Sequence, residues 1–573
     1  MKNNLKTYSL VFFLFVSVLV FSCHQNKDLQ RQQFNNPILS GFYPDPSICK
    51  VGSDYYIVNS TFAYFPGIPV FHSKNLVSWE LIGHVMDRPE QMDLDGLGVS
   101  RGIFAPDISY NAGIFYVTCT LVDAGGNFVV TSEAPEGPWS NPVFIPEING
   151  IDPSLFFDEN NKTYILYNSI PPDNKPLYQG HRTIRMYEFD KVNLKVVGEE
   201  KILVNGGTDL SKKPVWIEGP HLYKIDGYYY LMCAEGGTSV DHSEVIFRSK
   251  RIEGPYISYS GNPILTQRNL DPKRQHPVTC TGHADMVQLD SGNWWAVFLG
   301  CRPYSPADKN LFNTGRETFL APVRWQNGWP VINPDSNEVQ YQYQYPIPSE
   351  HKISQAPYGG NFKIRDDFDK DELGPDWIFL RTLHEKWYDL TTHPGYLNIQ
   401  LRPETCSEKV NPSFIARRQQ HLHGSATAAI KFSAKNEKEK AGLIIFQNES
   451  HYYYLCKSIE NNDPVIQLYI SKEQDTHQEI LASVKDFETD DDNDLLFFRI
   501  EANGDVYNFY YSNDGIDWII VKENVDASYL STEKAGGFVG CMYALYATSS
   551  GLESDNSVLV DWFEYEGSDE TNK

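Results

Sequence analysis

The sequence predicts an all-β protein in which a five-bladed β-propeller is followed by a β-sandwich. Three observations support this prediction. One short sequence pattern occurs five times in the first half of the chain. Aromatic residues are abundant, with 35 Tyr, 32 Phe and 11 Trp among 573 residues, and few segments have a helical period. From about residue 365 onward, closely spaced strands and hairpin turns such as Asn503-Gly504-Asp505 replace the repeats.

The repeats define the blades. Each one begins with an acidic residue or a histidine, often beside proline, and continues with an apolar run, a polar turn and an aromatic-rich second strand. Successive repeats begin roughly 45 to 65 residues apart, which is typical of a propeller or a solenoid. Because the innermost strand of each blade lines the central channel, equivalent residues meet near one axis. The repeats therefore predict that five residues are neighbours in space: Asp45, Asp107, Asp152, Glu218 and His283.

The length of the chain indicates the number of domains, and its charge limits the kinds of partner. A chain of 573 residues is too long for one core, and we expect a propeller over 36–334, a linker over 335–364 and a sandwich over 365–573. With 49 Lys and Arg against 74 Asp and Glu, the protein lacks the basic surface that nucleic-acid binding needs. The eight cysteines after Cys23 form no CxxC pair, so we interpret them as core residues and leave a disulfide open.

Residues 1–22 have the pattern of a secretory signal. A short basic segment precedes an apolar stretch over 8–21, and Val20-Phe21-Ser22-Cys23 resembles a bacterial lipobox. This resemblance predicts cleavage before Cys23, lipid attachment to it and a flexible tether over 23–35. The protein would then face the periplasm or lie on the outer surface of a bacterial cell envelope, touching the membrane only through the anchor. The alternative is an ordinary leader that is cut and released.

Several carboxylates at one channel mouth indicate catalysis. Like charges in a pocket raise one another's pKa, so such a cluster is costly to assemble. Hydrolysis of a glycosidic bond with inversion needs a protonated acid and an ionised base roughly 6.5–9.5 Å apart. A third carboxylate can keep the acid protonated. This chain offers three such carboxyl groups at the starts of its repeats, those of Asp45, Asp152 and Glu218. The alternatives are turn roles beside proline for Asp45 and Asp152, and a surface hairpin position for Glu218.

Five segments resemble glycoside hydrolase family 43, the five-bladed β-xylosidases and α-L-arabinofuranosidases. They surround Asp45, Asp152 and Glu218 and include Thr281-Gly282-His283 and Gly315-Arg316-Glu317-Thr318. The second half resembles the concanavalin A-like, lectin-type sandwich of a xylosidase branch. The resemblance implies an exo-acting, inverting enzyme that releases xylose from the non-reducing ends of xylo-oligosaccharides. An α-L-arabinofuranosidase acting on arabinoxylan is the first alternative, and a non-catalytic carbohydrate-binding or sensor protein is the second.

The resemblance also implies roles for individual residues. It makes Asp45 the general base, Glu218 the general acid and Asp152 the residue that orients and tunes the acid. Arg316 corresponds to an arginine that binds sugar hydroxyls, although a salt bridge with adjacent Glu317 is the alternative. Phe104 stands where the family commonly has a tryptophan beside the sugar.

Three further residues complete the expectations. His283 is expected to line the pocket or to be a hydrogen-bonded core histidine. No metal site and no required cofactor are predicted, while a channel cation such as calcium near His283 stays open. Asp107 is expected to be a structural turn residue. The glycine-flanked segment 536–540 is hypothesised to wall the pocket through Phe538, the alternative being a core strand of the sandwich.

Overall fold

The computed structural model describes residues 33–347, 358–472, 475–485 and 495–572. It confirms the predicted all-β propeller followed by a sandwich. The predicted signal segment, Cys23 and most of the tether lie outside the described residues. Within the described ranges, no helix combines the length and the apolar character needed to span a bilayer.

Five antiparallel sheets form the propeller. Blade 1 contains β2 (Ser47–Val51), β3 (Asp54–Val58), β5 (Gly67–Ser73) and β6 (Glu80–Met86). Blade 2 contains β7 (Gly102–Ile103), β8 (Asp107–Asn111), β9 (Ile114–Val122), β10 (Gly126–Ser132) and β11 (Val143–Phe144). Blade 3 contains β12 (Gly150–Phe157), β13 (Thr163–Ser169), β14 (Thr183–Asp190) and β15 (Lys195–Asn205). Blade 4 contains β16 (Glu218–Ile225), β17 (Tyr228–Glu235), β18 (Ser243–Ser249), β19 (Ile257–Ser258) and β20 (Leu265–Thr266). Blade 5 contains β21 (Thr279–Gln288), β22 (Trp294–Cys301), β23 (Glu317–Gln326) and β24 (Trp329–Ile332).

The start of the described chain joins the segment that follows the last blade. β1 (Gln33–Asn35) pairs with β25 (Gln342–Gln344). Phe34 is 1% exposed, and its ring lies 6.1 Å from that of Trp295 and 6.0 Å from that of Tyr343. The end of the predicted tether and part of the predicted linker are therefore paired strands, because burial of Phe34 outweighs the polar character of its neighbours.

Local backbone geometry at the channel mouth turns the pocket side chains inward. The innermost strands of blades 3, 4 and 5 each contain a β-bulge near their first residues. Asp45, Asp152 and His283 have φ angles of 51°, 55° and 50°, in the left-handed region. A bulge re-aims a side chain, and residues in such conformations are common at functional sites.

Two eight-stranded sheets form the second domain. The first contains β26 (Phe362–Asp366), β28 (Tyr388–Asp389), β29 (Leu397–Gln400), β31 (His423–Lys431), β36 (Leu496–Asn503), β37 (Val506–Ser512), β38 (Ile519–Asp526) and β40 (Ser557–Gly567). The second contains β4 (Tyr64–Phe65), β27 (Ile378–Leu380), β30 (Phe414–Arg418), β32 (Lys440–Asn448), β33 (His451–Glu460), β34 (Asp463–Lys472), β35 (Asp475–Val484) and β39 (Met542–Thr548). The helices of the described residues are short: α1 (Thr532–Ala535) and the 3₁₀ turns Pro89–Gln91, Pro172–Asn174, Leu210–Lys212, Ala527–Leu530 and Glu570–Asn572.

The two domains share a sheet and a core. β4 comes from the propeller half of the chain, yet it pairs with β27 of the sandwich through Phe65 opposite Phe379 and Tyr64 opposite Leu380. One apolar cluster contains residues of both halves, among them Phe62 and Val539. Removing the second domain would therefore uncover apolar core as well as one wall of any site at the interface.

Buried ions also join the two halves. Arg302, which is 1% exposed, donates to Glu317 at 2.6 and 2.8 Å and to Asp569 near the end of the chain at 2.6 Å. Removing one member of such a group leaves a buried charge without its partner, which is strongly destabilising. The eight cysteines of the described chain are free thiols, and all but Cys49 are fully buried.

Candidate active site

A cavity of about 300 Å³ opens at the mouth of the propeller channel. Its size is at the small end of the range for ligand pockets, roughly 300–1,000 Å³, and suits a terminal sugar better than the middle of a polymer. The structure brings together in its wall all six residues predicted for the pocket, and Phe538 with them: Asp45, Phe104, Asp152, Glu218, His283, Arg316 and Phe538.

Asp45 lies in a cationic, hydrogen-bonded setting. Arg316 donates from Nη1 to Oδ1 at 2.9 Å and from Nη2 to Oδ2 at 3.5 Å, and the Ser60 hydroxyl donates to Oδ2. Nδ1 of His283 is 3.7 Å from Oδ1. Burial by itself would raise the pKa of Asp45, but Arg316, His283 and Ser60 together hold this pKa below its ordinary value. Asp45 is therefore ionised over the neutral range.

Glu218 lies in the opposite kind of setting. It is 6% exposed, and burial first, then the negative charges of Asp152 and Asp45, raise its pKa well above the ordinary value. Burial and Asp45 likewise raise the pKa of Asp152 to about 7, against the backbone N–H of Gly219, which donates to its Oδ2 at 3.2 Å. One pocket thus holds an ionised carboxylate and a protonated carboxylic acid.

His283 packs against the strand that carries Glu218. A Cβ atom on Gly219, whose φ is 55°, would lie 2.8 Å from Nε2 of His283, so only glycine permits this approach. Burial lowers the pKa of His283 to about 4, which keeps the ring neutral. His283 is thus a pocket-lining residue beside both Asp45 and Gly219.

Arg316 does not pair with the neighbouring glutamate. Glu317, the first residue of β23, accepts from Arg302 instead. Arg316 precedes the strand, donates to Asp45 and lines the pocket. The salt bridge between adjacent residues that the sequence left open is not formed.

Three phenylalanines form an apolar wall around Arg316. The ring of Phe62 lies 5.2 Å from that of Phe104 and 5.8 Å from that of Phe538. The Arg316 guanidinium is 5.8 Å from the centre of Phe62 and 5.6 Å from that of Phe538. An apolar wall next to the charged groups lowers the local dielectric and strengthens their interactions.

The sandwich contributes Phe538 through a close backbone contact. The N–H of Phe538 donates to the hydroxyl of Ser100 at 2.9 Å. A Cβ atom on Gly315 would lie 2.9 Å from Cα of Gly540, so the two backbone segments approach as closely as glycine permits. The segment 536–540 therefore lies against Gly315, the residue before Arg316, and it is no internal strand of the sandwich.

The structure corrects the position of Asp107. The repeats predicted that Asp107 is a close neighbour of the other four channel residues, but in blade 2 the pocket is lined by Ala105 and not by Asp107. Asp107 belongs to strand β8 and lies two residues further along, so it is no turn residue either. The reason is the order of residues. Proline follows Asp45 and Asp152 but precedes Asp107, which shifts its carboxylate to the level of Ser47 and Ser154.

Phe62 and Trp216 are among the pocket residues that were missed as such from the sequence. Phe62 lies in a connection within blade 1 and has no motif around it. Trp216 was noted only as part of the apolar approach to Glu218, yet it lines the pocket with a φ of 56°, and the Arg182 guanidinium stacks on its ring at 3.8 Å. A tryptophan two residues before a predicted acid was the available signal for this position.

Two groups in the described chain have three side chains with metal-ligand character. One is exposed and consists of Asp93, Asp95 and His384, and the other is the buried trio Asp107, His221 and Asp285. His283 belongs to neither of them.

Comparison with known families identifies the fold and the enzyme class. Residues 34–330 match the family model of glycosyl hydrolases family 43. The chain belongs to this family. Residues 365–566 match the β-xylosidase C-terminal concanavalin A-like domain. The protein is therefore a glycoside hydrolase with a lectin-type second domain.

Similar proteins cover almost the whole chain. A xylosidase/arabinosidase of Butyrivibrio fibrisolvens is 39% identical over 544 residues, 93% of this chain and 99% of that protein. A non-reducing end α-L-arabinofuranosidase of Bacteroides ovatus is 38% identical over 548 residues, 94% and 96% of the two chains. The crystal structure of a xylan β-1,4-xylosidase from Bacillus halodurans superposes with a TM-score of 0.83 at 29% identity, covering 93% of this chain and all of that one.

Proposed function

We propose that this family 43 enzyme is an exo-acting, inverting β-1,4-xylosidase that releases xylose from the non-reducing ends of xylo-oligosaccharides. One observation carries the proposal. The small pocket combines Asp45, which Arg316 keeps ionised, with Glu218, which burial and Asp152 keep protonated. These are the two protonation states that single-displacement hydrolysis requires.

In the proposed reaction, Asp45 accepts a proton from a water molecule as the water oxygen bonds to the anomeric carbon. The glycosidic C–O bond breaks, and Glu218 gives its proton to the leaving oxygen. Asp152 acts on Glu218 by its charge and through the Gly219 N–H, and is a positioning residue. Arg316 and Phe104 are proposed to hold the sugar, with His283 beside Asp45.

The shape of the pocket favours binding of a terminal sugar. The second domain places Phe538 against Phe62 and Phe104, so an aromatic wall closes the cavity on that side. This supports exo action on xylo-oligosaccharides or on short fragments of arabinoxylan.

An α-L-arabinofuranosidase is the second candidate. The observation in its favour is the 38% identity over nearly the full chain to a protein with that activity in its name. Xylose and arabinose present similar hydroxyl groups, and the residues of this pocket do not separate them by charge.

One experiment tests both candidates. The purified enzyme is assayed on 4-nitrophenyl β-D-xyloside, 4-nitrophenyl α-L-arabinofuranoside and xylobiose, and the anomer first released is read by ¹H NMR. We expect a higher kcat/KM on the xyloside and α-xylose as the first product. A higher kcat/KM on the arabinofuranoside would select the second candidate, and release of β-xylose would contradict inversion.

We also propose that the mature protein is tethered to the cell envelope through a lipid on Cys23. The support is the basic, apolar and lipobox-like order of residues 1–23. Labelling of expressing bacteria with a palmitate analogue is expected to mark the wild-type protein in the membrane fraction. The Cys23→Ser variant should carry no label. Equal labelling of both proteins, or none of either, would contradict the anchor.

A further inference from the structure

A second cavity lies beside the active-site pocket, next to the segment that leads into Glu218. It has a volume of about 500 Å³ and is lined by residues of the segment 170–182 and by Trp216. Trp216 also lines the active-site pocket, so the two cavities share one indole side chain. A ligand that extends from the pocket across Trp216 therefore reaches the second cavity.

Arg182 lies over Trp216 with its hydrogen-bond donors free. Its guanidinium is 3.8 Å from the centre of the indole ring, and it donates to none of the residues that the structure describes. Stacking leaves the N–H groups, which point outward in the guanidinium plane, available to another partner. Arg185 is the opposite case, because it pairs with Glu200 at 2.5 Å and donates to the Ile170 carbonyl at 2.7 Å. The free donors are thus particular to Arg182.

Arg182 and Trp216 are both neighbours of the acid. Burial lowers the pKa of Arg182, and the charge of Glu218 acts in the other direction, so the guanidinium and this carboxyl group are close enough to interact. Burial, Asp152 and Asp45 raise the pKa of Glu218, and a hydrogen bond from the Trp216 side chain is among the smaller effects that lower it. In the proposed reaction Glu218 protonates the leaving oxygen, so these side chains lie where the leaving part of the substrate has to be.

The backbone fixes the positions of Arg182 and Trp216. The N–H of Trp216 donates to the carbonyl of Gly180 at 2.8 Å, and the N–H of Gly206 donates to the carbonyl of Arg182 at 2.9 Å. Gly180 has a φ of 82°, and a Cβ atom there would lie 2.9 Å from the Val215 side chain, so the two segments approach as closely as glycine permits. A surface held in this way binds a ligand at a lower cost in ordering.

We propose that Arg182 and Trp216 bind the leaving saccharide, and that the second cavity receives the sugar that follows it. The inference rests on the proposed glycosidase function and adds the residues that select the leaving group. An uncharged saccharide suits this surface, because its apolar C–H groups can contact the indole while its hydroxyl oxygens accept from the guanidinium. The preferred substrate is then an oligosaccharide of at least three units.

A substrate without a leaving saccharide isolates the contribution of Arg182. The full-length enzyme is assayed on β-D-xylosyl fluoride, which loses only a fluoride ion, and on xylotriose, which must place two sugars beyond Glu218. We expect Arg182→Gln to lower kcat/KM at least about tenfold more on xylotriose than on the fluoride, as for loss of a hydrogen bond from a charged donor. The matched control is Arg248→Gln. This guanidinium stacks on Trp329 at 4.2 Å outside both cavities, and the variant should keep the wild-type ratio.

Chain length tests the second cavity. The wild type should have a kcat/KM about twofold to tenfold higher on xylotriose than on xylobiose, the equivalent of one further hydrogen bond. The double variant Asn174→Ala, Gln179→Ala removes both side-chain amides that line the second cavity and should reduce this gain. Equal kcat/KM of the wild type on the two substrates would overturn the role of this cavity.

Two results would overturn the role of Arg182. One is an equal loss on the fluoride and on xylotriose in Arg182→Gln, and the other is the same change of ratio in Arg248→Gln. If Arg182→Gln does not fold, Arg182→Met, which keeps an unbranched stem over the indole, is measured in its place.

Failure of the proposed xylosidase function gives a different result, because the wild type then leaves β-D-xylosyl fluoride intact. The comparison is in that case made between α-L-arabinofuranosyl-xylobiose and 4-nitrophenyl α-L-arabinofuranoside. Equal losses on these two substrates in Arg182→Gln would again overturn the role of Arg182.

Discussion

The two sides of the pocket bury their carboxyl groups equally and give them opposite charge states. Asp45 is 5% exposed and Glu218 is 6% exposed. Arg316 and Ser60 contact Asp45, whereas other carboxylates are the main charged neighbours of Glu218. Burial therefore raises the pKa in both places, and the neighbours decide the outcome. The lesson is that the acid and the base of such a site are assigned by their partners and not by their depth.

The largest expected effect on activity comes from removing the ionised carboxylate of Asp45. Asp45→Ala should lower kcat by at least about 10³-fold on both xylobiose and aryl xyloside, because water attack is then unassisted. Added azide should restore part of the turnover on the aryl substrate. Asp290→Ala, on an 80% exposed side chain in the same propeller, is the control and should retain full activity. Activity above a few per cent in Asp45→Ala would remove it as the base.

Removing the protonated carboxyl group of Glu218 should lower activity by an amount that depends on the leaving group of the substrate. Glu218→Ala is expected to lower kcat/KM on xylobiose by about 10²- to 10⁴-fold, and by much less on an aryl xyloside whose phenolate leaves without a proton. Glu159→Ala, which alters an 82% exposed carboxylate, serves as control. Equal losses on the two substrates would argue against Glu218 as the acid.

Removing the positive charge of Arg316 should mainly move the acid limb of the pH profile of kcat/KM. In Arg316→Gln the burial of Asp45 is no longer offset, so its pKa rises and the acid limb of kcat/KM shifts to higher pH. The alkaline limb should also move to higher pH, but by less, because Arg316 is a smaller cause of the pKa of Glu218, which it lowers, than of the pKa of Asp45. Such a shift in the alkaline limb alone would contradict this assignment.

A matched control for this profile lies close by in sequence. Arg324→Gln removes a 62% exposed arginine of strand β23 that pairs with Asp335 at the surface. Its pH profile should coincide with that of the wild type. If both arginine variants shift the acid limb equally, the effect reflects the net charge of the protein and not the contact with Asp45.

The smallest expected effect concerns the wall that the second domain provides. Phe538→Ala should lower kcat/KM on xylobiose by roughly threefold to tenfold, the equivalent of about 0.5–1.5 kcal/mol for an aromatic contact. Because the domains share a core, this substitution is a sharper test than deletion of residues 365–573. Phe144→Ala, at a 40% exposed site in blade 2, is the control. Unchanged kinetics with Phe538→Ala would leave the segment 536–540 a scaffold.

Much of the architecture was predictable from the sequence because it depends on local patterns. The repeated strand starts and the turn residues indicated the propeller, and the change of pattern near residue 365 indicated the sandwich. The three carboxylates of the pocket, Asp45, Asp152 and Glu218, were also found, since each stands at or near the start of an innermost strand.

Only the tertiary structure decided which groups meet across blades and domains. The two-residue offset of Asp107, the pairing of Arg316 with Asp45, the place of Phe62 and the pairing of β4 with β27 all depend on contacts between segments far apart in the chain. The pKa values of the pocket follow from the same contacts, because an electrostatic shift depends on distance and burial in space. The sequence by itself determined the strands and the types of side chain at their ends. Packing decided which of these side chains carries a charge.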